Sequence, residues 1–368
     1  MYGRKNFLIL LISFLFLFSF SFSEDLIDYQ FGRGIKFKNC PLRFGGYFAV
    51  KYENTSQDEY EFNIEDAALL IYGDLTQKTR FFLEIGAKEL YVKKKEIEDE
   101  EDENENEDED EDKDEDKKTF IKEEKELNIK PKIERLYFDY LYSDYLKIRI
   151  GQFITPIGLW NPVHIPPLKW TLIDPVTATK FFPRLTTGIK FFGLLPFQNE
   201  TWEYSLFIQK TKNINETHNN LKTDDFIGGE IKKYFESVSV GLALGKFKDK
   251  QIKKDLNFVG LNFDFTCTRL EVMAEYMHGK EKDTNIDNND RSSYYLQGVY
   301  RVFSKNYLIL RKEYFKEVYN KNKINAYLIG WNYRPLYPIS LKLELQWKKD
   351  SVKKESEREF ATSFSILF

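Results

Sequence analysis

The chain has 368 residues, with 55 Lys and Arg against 59 Asp and Glu, a net charge of −4, and an aromatic load of 33 Phe and 23 Tyr. A mean hydropathy of −0.52, with no second apolar run of about 18 residues beyond the amino-terminal one, excludes a helical membrane domain. Two cysteines, Cys40 and Cys267, and three histidines form no Cys-rich metal motif, and no Gly-rich phosphate loop occurs.

In chain order, Arg4 and Lys5 precede an apolar run over residues 7–22, and the small residues Ser21 and Ser23 stand before Glu24. This arrangement predicts a secretory signal peptide over 1–23; a retained membrane anchor is the other reading of the same run. Residues 24–43 are expected to form an N-terminal periplasmic segment, either a tail or a small partial plug. From residue 44 a period of two sets in. Sixteen such segments follow, at 44–52, 60–72, 79–92, 132–141, 145–152, 185–195, 201–210, 225–235, 237–246, 256–267, 269–278, 292–303, 307–315, 324–333, 339–347 and 358–368. In the fifteenth, Leu341, Leu343, Leu345 and Trp347 oppose Lys342, Glu344 and Gln346.

After the third segment, residues 96–116 hold 17 acidic residues and a single Lys, a local charge of −16, and the mature remainder of the chain is basic by about +10. Like charge at this density opposes compaction, so 93–131 is expected to be a disordered external loop. Its carboxylates suit divalent cations, but the glycine and fixed spacing of a folded calcium loop are missing, and a solvated, repulsive tether is the simpler reading. After the fifth segment comes an apolar, aromatic stretch at 151–183 with six prolines. A loop this apolar is poorly suited to water. It is expected to fold inward over 152–184 as a constriction loop, with an ordered external loop at a subunit contact as the alternative.

The connections carry a second signal. Every even-numbered one is brief, and the odd-numbered ones hold all the long polar stretches. Bacterial transmembrane barrels have short periplasmic turns and longer external loops, whereas a soluble sandwich needs no such parity. The fourth connection is expected to be a three-residue turn at Tyr142, Ser143 and Asp144, which would pair Asp139 with Lys147 and Tyr137 with Arg149. The last nine residues put Phe360, Thr362, Phe364, Ile366 and Phe368 on one face and small or polar residues on the other. The expected fold is all-β: a 16-stranded antiparallel transmembrane β-barrel over 44–368 in the bacterial outer membrane. Cys40 and Cys267 then lie near one rim but far apart around the wall, so no disulfide is expected.

A terminal Phe on such a strand resembles the assembly signal of bacterial outer-membrane barrels, which implies the barrel-assembly machinery as a partner of Phe368. The hairpin ERLYFDYLYSDYLKIRIGQFITPIGLWNP, the segment RLTTGIKFFG, the stretch LIGWNYRPLYPISLKLELQW and the terminal SFSILF resemble the phosphate-selective porin O/P-like group and related bacterial porins. The resemblance spans most of the barrel and is strongest in the Gly-Gln-Phe…Thr-Pro-Ile-Gly and Asn-Tyr-Arg-Pro turns. It implies a homotrimer in outer-membrane lipid that passes small hydrophilic solutes or anions. The acidic loop and the absence of a dense lumenal arginine ladder depart from the group's pattern.

By parity, the lumen receives Arg80, Lys88, Arg135, Lys147, Arg149, Arg301, Arg311 and Lys342 against Glu84, Asp139, Glu271, Glu275, Glu313 and Glu344. The loop adds Lys169, Lys180 and Arg184 against Asp174. Arg135, Lys147, Arg149, Lys169, Lys180 and Arg184 are therefore the candidate selectivity residues, giving either a weak anion preference or, if charges cancel across the lumen, a nearly unselective pore. A barrel that displays the acidic loop as a cation-binding or adhesive surface is the alternative function. No nucleophile and base stand at a catalytic spacing, and no enzyme activity, cofactor, metal or nucleic-acid partner is expected.

Overall fold

The computed structural model describes residues 27–55, 60–99, 119–127, 130–197, 200–214, 216, 220–250, 253–281, 290–317, 322–351 and 356–368. The expected signal peptide at 1–23 and residues 100–118 of the acidic loop lie outside them. Among the described residues, sixteen antiparallel strands close into one barrel. In chain order they are β3 (Leu42–Thr55), β4 (Tyr60–Thr76), β5 (Thr79–Asp99), β7 (Lys132–Leu141), β8 (Lys147–Ile154), β9 (Leu185–Phe197), β10 (Glu200–Gln209) and β11 (Phe226–Tyr234). The second half comprises β12 (Val238–Asp249), β13 (Lys254–Thr266), β14 (Leu270–Glu281), β15 (Asp290–Phe303), β16 (Asn306–Lys316), β17 (Lys323–Tyr333), β18 (Ile339–Asp350) and β19 (Ser356–Leu367). Each strand pairs with its sequence neighbours, and β19 returns to β3 with Phe364 opposite Val50. Phe368 completes the closure: its backbone N–H and C=O each bond Gly46 at 2.8 Å.

The burial pattern is that of a soluble sheet turned inside out. On β18, Leu341, Leu343, Leu345 and Trp347 are 42–50 % exposed, while Ser340, Lys342, Glu344 and Gln346 are at most 5 % exposed. The same inversion recurs at Leu206, Leu244, Leu261, Leu296 and Leu310 on other strands. An apolar surface of this extent, wrapped around a polar interior, matches a hydrocarbon solvent and not water. The alternation in the sequence has this cause: in a closed barrel, one pleat face meets lipid and the other the lumen.

Three strands lie outside the expected sixteen. Residues 24–43 do not run as a plain tail: β1 (Ile27–Gln30) and β2 (Gly34–Phe37) form a hairpin that joins the barrel wall, with Ile35 opposite Phe44. Gly34 makes this possible, because at φ +81° a Cβ there would stand 2.2 Å from the Phe44 carbonyl oxygen. Within 93–131, expected to be without structure, β6 (Thr119–Leu127) pairs antiparallel with the end of β5, from Tyr91 opposite Leu127 to Asp99 opposite Thr119. The β5 strand thus extends past the expected end at Val92.

The turn after β7 is a further correction. It spans residues 142–146, and the register pairs Asp139 with Arg149 and Leu141 with Lys147. A shift by two keeps every side chain on its expected face. Two contacts fix the wider turn, since the Ser143 N–H bonds the Leu146 carbonyl and the Ser143 hydroxyl accepts the Leu146 N–H. Its gain is the two-point Arg149–Asp139 pair at 2.7 and 2.8 Å. Cys40 and Cys267 are free thiols.

Candidate functional site

Residues 155–184, between β8 and β9, supply the chemistry of the interior. Their prolines and short elements, a 3-10 turn (Pro166–Leu168) and a five-residue helix α1 (Val176–Lys180), satisfy few of their own backbone groups, so acceptors must come from elsewhere. The wall provides them. Glu230 on β11 accepts the Gly158 N–H at 3.1 Å, and Glu275 on β14 accepts those of Leu159 and Trp160 at 2.7 and 2.8 Å. Glu313 on β16 accepts the Val176 N–H at 2.7 Å, and Glu344 on β18 accepts those of Leu172 and Ile173. Wall cations take the opposite groups: Lys342 donates to the Pro166 carbonyl at 2.7 Å, Arg311 to Ile173 at 2.8 Å, and Arg334 to Lys169 at 2.7 Å. The segment thus bonds buried side chains carried by the wall from β11 round to β18.

Apolar contacts complete the seat. Ile157, Phe181 and Phe182 cluster with Phe153, Phe207, Phe226, Phe247 and Phe258 of the wall. Leu159, Trp160 and Trp170 pack against Tyr295, Val299 and Ile309. Gly158 sits at φ +79°, and a Cβ there would stand 2.5 Å from Glu275 Oε2. Gly158→Ala is therefore expected to combine backbone strain of about 1–2 kcal/mol with displacement of the Glu275 carboxylate, read as a lower thermal midpoint of the barrel.

Much of the lumenal charge counted from parity is thus committed to holding the loop, not to meeting a solute. The space left over lies on the other side. An inner cavity of ≈120 Å³ is lined by Glu65, Asp66 and Lys88 of the wall, His164, Lys169, Asp174 and Arg184 of the loop, and Lys342. Asp174 is its hub: Lys169 bonds it at 2.7 Å, the Trp160 indole N–H at 3.0 Å and Arg184 at 3.2 Å. Burial pushes the Asp174 carboxyl up, but Lys169 and Arg184 outweigh it and hold it well below the usual carboxylate range. His164 is fully enclosed. Arg184 donates toward its Nδ1 at 3.4 Å, and its Nε2 lies 3.2 Å from Glu134. Burial, with the Arg184 charge, pushes the imidazole down to about 4 despite Glu84 and Glu134, so it is neutral at physiological pH.

The six candidate selectivity residues divide. Lys169 and Arg184 meet at the inner cavity. Arg149 lines a second, larger cavity of ≈790 Å³ at the short-turn end. Arg135 is on the inner wall, paired with buried Glu84 and lying 4.5 Å over the Phe82 ring. Lys147 shares the Arg149 face but lines neither cavity, and Lys180 is solvent-exposed, its carbonyl accepting from Arg291. Glu65 and Asp66 of the inner cavity and Glu230 and Arg334 of the loop seat escaped the sequence reading. The two-residue period signals Glu230 as inward-facing, whereas a break in the β4 ladder between Ile64 and Asp66 disguises the acidic pair.

No protein-family model matches this chain, and no curated protein matches it in sequence. Solved structures do match. A loop L8 deletion mutant of OmpT, an outer membrane protein of Vibrio cholerae, superposes with a TM-score of 0.61 at 10% identity, over 89% of this chain and 99% of that one. An anion-selective porin from Comamonas acidovorans gives 0.57 at 11% identity over 89% and 99%. The outer membrane channel DcaP of Acinetobacter baumannii gives 0.56 at 12% identity over 91% and 100%. At such identities the likeness is one of fold. The chain has the sixteen-stranded antiparallel barrel fold of bacterial outer-membrane porins.

Proposed function

We propose that this protein is an outer-membrane porin, a water-filled channel for passive diffusion of small hydrophilic solutes or ions. The observation that supports this reading is the set of hydrogen bonds from the 155–184 loop to the wall between β11 and β18, which would seat the loop along one arc and leave polar space against β4 and β5. Solutes would be filtered by size at the inner cavity and by charge along its lining, with no chemical step. Counted formally, Lys88, Lys169, Arg184 and Lys342 exceed Glu65, Asp66 and Asp174 there by one charge with His164 neutral, which supports a weak anion preference. The likeness to anion-selective and other porins supports the channel, and the motif resemblance supports a homotrimer of the phosphate-selective O/P-like kind, with Phe368 as the assembly signal.

Liposome swelling tests the channel directly. Vesicles carrying the folded protein are expected to swell quickly in arabinose and progressively more slowly in glucose, sucrose and raffinose. Swelling no faster than that of empty vesicles would rule the channel out.

A further inference from the structure

The larger cavity, at the end that holds the short turns, has a composition of its own. Five cations line it, Lys36, Lys38, Arg43, Arg80 and Arg149, against two carboxylates, Asp74 and Asp139. Both carboxylates are already engaged, Asp74 with Arg80 at 2.7 Å and Asp139 with Arg149 at 2.7 Å. Lys36 and Lys38, carried in by the N-terminal hairpin, have no carboxylate partner among the described residues. The register sets Lys36 between Arg43 on β3 and Asp28 on β1, so Asp28 offsets part of a like-charge contact that a further anion would relieve. Asp28 takes the Arg43 Nη2 at 2.9 Å, and Nη1 is left without a partner.

The aromatic residues of this cavity point the same way. Phe82 and Tyr137 are stacked at 5.1 Å with 4° between their planes. Their outer faces are covered, Phe82 by Arg135 at 4.5 Å and Tyr137 by Arg149 at 3.7 Å. With the negative ring faces occupied, only the positive ring edges remain to face a solute. Neither of these two rings offers a free face to a cation, and with the Arg43–Asp28 pair counted the cavity holds an excess of two positive charges for an anion.

We propose that this cavity is a binding site for small multivalent anions, with Lys36 and Lys38 as the mobile donors and Arg43, Arg80 and Arg149 as donors fixed by their pairs. A monovalent anion would neutralise one of the excess charges, whereas a tricarboxylate would span both. The site stands apart from conduction, since binding is measurable whether or not the lumen passes solute.

Cys40 lines the same cavity and serves as a native reporter in a Cys267→Ser background, where the replaced residue is exposed in a turn. Its labelling by an anionic sulfonatoethyl and a cationic trimethylammonioethyl methanethiosulfonate is compared, each normalised to a small free thiol. The folded barrel is expected to favour the anionic reagent. The Lys36→Gln/Lys38→Gln variant is expected to lower that preference about five-fold at physiological salt, taking each charge to act across about 7 Å with a Debye length of about 8 Å. Citrate is expected to slow anionic labelling, and acetate at equal ionic strength is not. A ratio at or below that of the free thiol, a ratio untouched by the lysine substitutions, or equal protection by citrate and acetate would each overturn the site. Calorimetric titration of citrate into the unmodified full barrel is an independent check: at least a five-fold weaker Kd in the double lysine variant is expected, and an unchanged Kd would contradict the proposal.

Discussion

Glu275→Ala is expected to unseat the 155–184 loop. Glu275 is 3 % exposed, and a single oxygen, Oε1, accepts the N–H groups of Leu159 and Trp160 together with the Tyr295 hydroxyl. Removing the carboxylate leaves three donors without an acceptor in an enclosed site. At about 1–3 kcal/mol for each unsatisfied group, the loss rivals the whole stability of a typical domain, about 5–15 kcal/mol. The strands have their own ladders, so the loop should yield before the barrel does. The expected phenotype is a folded barrel with larger and noisier unitary conductance and faster trypsin cleavage after Lys169. Glu275→Gln retains a carbonyl acceptor and should lie between the two. Conductance and cleavage identical to the parent protein in the alanine variant would show that the loop is held without this contact.

Asp174→Asn is expected to change selectivity most. The carboxylate neutralises two of the cations that line the inner cavity, Lys169 and Arg184. Asparagine keeps the shape and one acceptor but removes the charge, so the lining goes from one excess cation to two. A unit charge about 5 Å from a permeating ion is worth ~0.8 kcal/mol even at the dielectric of water. That raises the chloride flux and lowers the potassium flux, so the permeability ratio should move several-fold toward chloride, and less at high salt. Lys169→Gln should move it the other way. A reversal potential unchanged in both variants would place the ion path elsewhere in the lumen.

The barrel was legible in the sequence because its determinant is local. A period of two along each strand, with apolar residues out and Lys342, Glu344 or Arg149 in, needs no knowledge of the partner strand. The prolines and apolar residues at 151–183 likewise set that loop apart from the other connections. What the sequence does not display are pairings between distant residues. Nothing near Glu275 indicates that it receives Leu159 and Trp160, more than a hundred positions away, so charges that hold the loop were indistinguishable from charges that meet a solute. Lys180 shows the same limit on a smaller scale: it ends α1, and helix geometry turns it to solvent. The Ile27–Phe37 hairpin went unread because its two four-residue strands are too short to establish a period. The turn after β7 was misjudged because a shift of two leaves the facing pattern unchanged.

The most direct test is the reversal potential of purified, refolded protein in a planar bilayer under a tenfold KCl gradient. Stable stepwise conductance with a modest preference for chloride is predicted, following the one-charge excess at the inner cavity. A barrel shown to be folded that gives no steps, or steps strongly selective for potassium, would contradict it.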